Sequence, residues 1–108
     1  MTFPIQLAFN HMDHSDALEQ AILERAEKLG KFHPAITNVH VAVTQEARRS
    51  TKGRLFNVKL DVHVKGQSFA ITQKGDEDAF VAAREAFDAA KRVLDAGIDT
   101  TRGFVKQH

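Results

Sequence analysis

The sequence predicts an α+β two-layer sandwich of order β-α-β-β-β-α, a four-stranded sheet with two helices on one face. Three observations carry this. Four stretches alternate apolar and polar residues with a period of two. Two longer stretches repeat apolar residues at three- and four-residue steps. Every predicted strand keeps one polar side, so the sheet has one wet face, and the amphipathic helices must cover the other.

The first strand is Phe3–Phe9, with Ile5, Leu7 and Phe9 inward against Gln6, Ala8 and Asn10. Asn10–His14 is a polar connection. Ser15 is placed to cap a helix over Asp16–Phe32. Its stripe is Leu18, Ile22, Ala26 and Leu29, flanked by Ala21 and Phe32. Arg25 falls within that arc, where its stem lies over the core edge and its head reaches solvent. Pro34 stops the helix.

The second strand spans Thr37–Gln45, with Val39, Val41 and Val43 inward and His40, Ala42 and Thr44 outward. Glu46–Gly53 is a basic connection with Ser-Thr-Lys-Gly turn chemistry. The clearest strand is Arg54–Lys65, where Phe56, Val58, Leu60, Val62 and Val64 share one parity. Gly66 and Gln67 turn the chain into a fourth strand at Ser68–Thr72. Gly75–Asp95 then reads as one long helix: Asp76 or Asp78 caps its first turn, Phe80, Ala83, Phe87, Ala90 and Leu94 form its stripe, and Gly97 ends it. The first β-α-β unit is expected to cross over right-handed, and the last three strands to form an antiparallel meander.

The 108 residues fit a single domain, drawn here over residues 1–98 with a short polar tail at 99–108. The absence of Cys excludes a disulfide framework and any Cys-based nucleophile or metal site, and suits a reducing cytosol. The N-terminus lacks the basic start and apolar core of a signal peptide, and no apolar run approaches the ~20 residues that span a bilayer. A cytoplasmic protein without membrane association is expected. The net charge of +1 gives no bulk drive toward nucleic acid, and DNA binding is not expected.

Little in the sequence points to catalysis. His11-x-x-His14 is the one close His pair and has no obvious third ligand nearby, so exposed loop histidines explain it better than zinc. His40 and His63 lie on wet strand faces as cross-strand neighbours, and a pair of His completes no catalytic set. Ser15 is a cap rather than a nucleophile, since no G-x-S-x-G context surrounds it. No Gly-rich phosphate loop is present. The expectation is a non-enzyme with no cofactor and no metal.

Charge distribution is more informative. The predicted first helix is net −1 and Asp76–Asp95 is net −3, whereas Glu46–Arg54 is net +3. Arg25, Lys28 and Lys31 step by three along the first helix, and Arg48, Arg49, Lys52 and Arg54 sit in the loop. Arg84, Lys91 and Arg92 mark the charged face of the last helix. Such residues hold phosphates without reading sequence. The competing reading is a solvated face neutralised by pairs such as Glu24–Lys28 and Glu27–Lys31. There is no Tyr or Trp, and the Phe residues fall mostly on core parity, so base stacking is not favoured and backbone and shape recognition is the expected mode for RNA.

Several stretches resemble one family. Ser15-Asp-Ala-Leu followed by Glu24-Arg-Ala-Glu-Lys-Leu-Gly-Lys-Phe32, then Ile36-Thr-Asn-Val-His-Val41, then Glu77-Asp-Ala-Phe80 resemble, in order and spacing, the ribosome hibernation-promoting factor and ribosome-associated inhibitor family, the ribosomal subunit interface proteins. The resemblance covers about Phe3 to Leu94. It implies a fold similar to double-stranded-RNA-binding domains and a bacterial stress-response protein. It further implies a short-form translation inhibitor, monomeric when free, that contacts ribosomal RNA and occupies the mRNA and tRNA channel of the small ribosomal subunit. It assigns RNA contacts to Arg25, Lys28, Lys31 and Arg92. The sequence departs from the pattern at Ala89 and Ala96, where the family is usually basic, and at Phe80, where it usually has Tyr. These departures and the acidic last helix support an alternative: a protein-interaction or regulatory module that keeps the fold with weakened ribosome binding.

Overall fold

The computed structural model describes residues 3–46 and 55–104, with side chains over 3–46 and 55–96. Its elements are β1 (Ile5–Asn10), α1 (Asp16–Phe32), β2 (Ile36–Glu46), β3 (Leu55–Val64), β4 (Gln67–Asp76) and α2 (Ala79–Phe104). One four-stranded sheet has the order β1-β2-β3-β4. β1 runs parallel to β2, with Leu7 opposite Val41, and the remaining pairs are antiparallel. The expected element order, the β-α-β crossover from one parallel strand to the next and the three-stranded meander are all present.

Alternation in the strands decides which face is buried. Val39, Val41 and Val43 of β2 meet Val58, Leu60 and Val62 of β3, and all are sealed from solvent. Phe9, Leu7 and Ile5 of β1 and Phe69 of β4 pack at the margins of this core. α1 adds Leu18, Ile22, Ala26 and Leu29 from one face, as its stripe predicts. Ser15 caps it, with Oγ accepting from the Leu18 amide at 3.2 Å, and His33 closes it by donating to the Leu29 carbonyl at 3.0 Å. Gly30 lets Phe3 approach: a Cβ there would sit 2.3 Å from Phe3 Cε2.

The second half departs from expectation in three places. β4 continues to Asp76 through an irregularity in which Val58 pairs with Gln73 but Phe56 pairs with Asp76. Gly75 takes a φ of +74° there, a conformation that favours glycine. Its amide donates to Asn57 Oδ1 at 2.9 Å, and Asn57 Nδ2 donates to Glu46 Oε2 at 2.7 Å, so one side chain ties three strands together. α2 therefore begins at Ala79 rather than Gly75. Asp78 is its cap, accepting from the Phe80 amide at 2.8 Å, while Asp76 accepts from the Asp78 amide at 2.9 Å in the turn before it.

Gly97 does not end α2, which runs on to Phe104. An internal glycine weakens a helix by about 1 kcal/mol relative to Ala without breaking it. The stripe also sits differently from the prediction. α2 buries Ala79, Ala82, Ala83, Ala86, Phe87, Ala90 and Leu94, whereas Phe80 is 47% exposed. The alanines, having little side chain, bring the helix down onto β3 and β4. Phe80 lies at the edge of the buried arc in the first turn, where the core no longer covers it.

Candidate nucleic-acid interface

α1 and α2 lie side by side and leave a groove between them. His33, at the end of α1, meets Asp95 of α2, with Nε2 2.9 Å from Oδ1. Four residues earlier on each helix, Leu29 and Lys91 line the groove, together with Arg25, Lys28, Phe32, Phe87 and Asp88. The equal spacing on the two helices means that they run in the same direction. Leu29 and Phe87 are buried and form the apolar floor, while Lys28, Phe32, Asp88 and Lys91 stand exposed at the rim. Arg25 is half-buried, as its place within the apolar arc predicts.

Asp95 lies one helical turn beyond the groove-lining Lys91. Lys91 Nζ donates to its Oδ2 at 3.1 Å while His33 approaches its Oδ1. The Lys91 hydrogen bond lowers the pKa of Asp95 below the usual carboxylate value; partial desolvation opposes this, and His33 adds to the lowering. His33 is only 5% exposed, so the pair tethers the buried end of α1 to α2. Lys91 Nζ also lies 5.3 Å from the centre of the Phe32 ring, a cation–π arrangement.

The predicted cations divide into three groups. Arg25, Lys28 and Lys31 are together along α1, with Lys28 and Lys31 exposed. Among the described residues, neither the Glu24–Lys28 nor the Glu27–Lys31 pair forms, and neither Arg25 nor Arg92 has a carboxylate within ion-pair distance. Neutralisation along α1 is thus not what the structure contains. On α2, Lys91 is held by Asp95, and Arg84 Nη2 is 3.7 Å from Glu85 Oε2. Arg48, Arg49, Lys52 and Arg54 lie outside the described residues. The strand ends that carry that loop, Glu46 and Leu55, lie at the end of the sheet where both helices begin, whereas Lys31 and Phe32 lie toward the other end.

Two features went unread in the sequence. The first is aromatic exposure: Phe32 is 60% exposed beside the cations, so the expectation that the Phe residues leave no platform for a base does not hold at this position. The available signal was its place beyond the stripe, at the basic end of α1. The second is the His33–Asp95 contact, which joins residues 62 apart and has no local sequence signature.

The other candidates resolve into ordinary contacts. His14 Nε2 lies 2.9 Å from both Asp16 Oδ1 and Glu19 Oε1 and packs edge-on to Phe9, at 5.1 Å between ring centres. These three are the one group of potential metal ligands close together among the described residues; they are largely exposed at the start of α1, and first-turn acids there suit the helix dipole. His40 and His63 are neighbours on the wet face, with ring centres 6.3 Å apart. Among the described residues no helix is long and apolar enough to cross a membrane.

A four-stranded sheet with two helices packed together and a groove between them lined by Arg25, Lys28 and Lys91 defines a small α+β protein. Comparison with known proteins makes this specific. The profile of the family described as Sigma 54 modulation protein / S30EA ribosomal protein matches residues 5–96, and the chain belongs to that ribosome-associated family of translation regulators. It is similar in fold to a ribosomal subunit interface protein from Coxiella burnetii, with a TM-score of 0.73 at 16% identity over 87% of this chain and 96% of that one. It is also similar to the N-terminal domain of Thermus thermophilus Protein Y, with a TM-score of 0.64 at 13% identity over 83% and 93% of the two chains. A search of curated proteins gave no significant sequence match.

Proposed function

We propose that this protein is a non-enzymatic, cytoplasmic translation inhibitor that binds the small ribosomal subunit through its RNA and works by occlusion, sitting where mRNA and tRNA would pass. The observation that carries the reading is the row of α1 cations without carboxylate partners, Arg25, Lys28 and Lys31, on a fold whose family is ribosome-associated. A carboxylate-paired lysine has already exchanged much of its phosphate attraction for an internal one; an unpaired one has not. Arg92 extends this charge on α2, and the four loop cations are further contributors. The domain needs no chemistry to act: bound phosphates hold it, and its bulk excludes other ligands. It acts as a monomer.

The test is a translation assay with purified ribosomes, read alongside co-sedimentation with small subunits. Wild-type protein is expected to sediment with the subunit and lower peptide synthesis, with excess mRNA and tRNA relieving the inhibition. The triple reversal Arg25→Glu, Lys28→Glu and Lys31→Glu is expected to lose both effects while retaining its circular dichroism spectrum. Unchanged co-sedimentation of that variant refutes the assigned surface.

The acidic balance of Asp76–Asp95, net −3, favours a second reading, a regulatory module that recruits a protein. It predicts that affinity capture recovers a protein partner and no ribosomal RNA.

A further inference from the structure

We propose that the groove between α1 and α2 takes one unstacked nucleotide, its base lying on the Phe32 ring and its phosphate between Arg25 and Lys28. This rests on the RNA-binding reading above and adds a contact that phosphate recognition does not require. Phe32 ends α1 with 60% of its surface in solvent, although Leu29, one turn earlier, is buried. Its ring stands at the rim of a shallow, solvent-open groove floored by Leu29 and Phe87.

The charges around the ring favour a nucleotide over a neutral ligand. Arg25, Lys28 and Lys91 line the groove against one carboxylate, Asp88. Lys91 is engaged by Asp95, so Arg25 and Lys28 are the two cations left to an incoming anion. An aromatic face next to unpaired cations matches what a single strand presents, a π-face and a phosphate at every nucleotide. Duplex RNA keeps its base faces stacked, so the nucleotide belongs to a loop, bulge or strand end. Lys91, 5.3 Å from the ring centre, shields one approach to the ring and moves aside or caps the base when it enters.

The chain contains no Trp and no Tyr, so Phe32→Trp creates a unique fluorophore in the groove. Its emission is expected to be quenched by small ribosomal subunits and by a short unstructured oligoadenylate, but not by the matching abasic oligonucleotide or by inorganic polyphosphate. Phe32→Trp should bind as tightly as wild type, whereas Phe32→Ala should bind about 5- to 150-fold more weakly with an unchanged salt slope. Equal quenching by the abasic strand or polyphosphate overturns the proposal, as does wild-type affinity in Phe32→Ala. Quenching by an acidic, Phe-containing peptide but not by RNA overturns it in favour of a protein partner. If wild-type protein ignores small subunits altogether, the ribosomal reading fails, and the oligonucleotide titration still decides the stacking.

Discussion

Replacing Arg25, Lys28 and Lys31 together by Gln removes three positive charges while keeping much of each stem. None of the three is in an ion pair or a cap, so each change should alter stability by no more than about 0.5 kcal/mol. The effect belongs to binding and to its dependence on salt. Each phosphate neutralised by a cation contributes about 0.9 to the slope of log affinity against log salt on a duplex and about 0.7 on a single strand. Loss of three contacts should flatten the slope by about 2 to 3. Between about 50 and 200 mM salt, wild-type protein should therefore lose about 20- to 40-fold more affinity for small subunits than the triple variant does. Lys91→Gln supplies the internal control, because Asp95 already holds Lys91 at 3.1 Å; it should change the slope less than Lys28→Gln. The assay is equilibrium binding of labelled protein across a salt series. A triple variant with the wild-type slope and a native spectrum would show that these side chains face no phosphate, and the occlusion argument would fall with it.

Other consequences follow from the packing. Leu60→Ala in β3 opens a void beneath the centre of the sheet and should cost about 2–5 kcal/mol in denaturant unfolding. Ser15→Ala and Asp78→Ala each leave a helix amide uncapped and should each cost about 1 kcal/mol. Gly30→Ala should displace the Phe3 ring and destabilise the protein, but in a Phe3→Ala background it should become neutral or stabilising by up to about 1 kcal/mol, which a double-mutant cycle reads directly. Asp95 has its pKa lowered by Lys91, so its contribution is present above the ordinary aspartate value of about 3.9 and is lost as pH falls through the lower folded value. Asp95→Asn should therefore remove part of the acid-side loss of thermal stability below about pH 4, and unchanged acid sensitivity would assign that loss to other carboxylates.

Much of the fold was legible because its signals are local. The parity of Val39, Val41 and Val43, the Leu18–Leu29 stripe and the Ser15 cap each involve residues within a few positions of one another, and each is realised. The end of β4 was misread because Gln73–Asp76 is polar and contains a glycine, which resembles a turn; the irregularity at Gly75 is anchored by Asn57, eighteen residues away. Phe80 was misplaced for a different reason. Residue size draws attention to Phe in a stripe, but close approach of a helix to a sheet selects the smallest side chains, and Ala79, Ala82, Ala83 and Ala86 occupy the covered arc. Of the candidate site, the α1 cations were readable from their spacing. The groove was not, since it exists only once residues such as Phe32 and Lys91 are brought together by the tertiary fold.

That juxtaposition bears on the acidic character of Asp76–Asp95, which argues at first sight against RNA binding. Net charge is the wrong measure for a surface whose acids are committed internally. Asp76 and Asp78 spend their oxygens on the turn and cap that start α2, and Glu85 accepts from Gln73 on β4 while lying beside Arg84. Asp95 holds both Lys91 and His33. These acids fix the helix against the sheet and against α1, and in doing so they set the position of the groove. The α1 carboxylates Glu24 and Glu27 are exposed yet pair with neither Lys28 nor Lys31. Carboxylates are thus spent on holding α2 in place, while the cations of α1 remain available. A polyanion arriving at the groove meets Arg25 and Lys28 before it meets the acids of α2, apart from Asp88. Asp88→Asn should therefore tighten RNA binding, whereas Glu85→Gln should leave it unchanged; equal effects of the two would mean that overall charge, not the groove, governs binding.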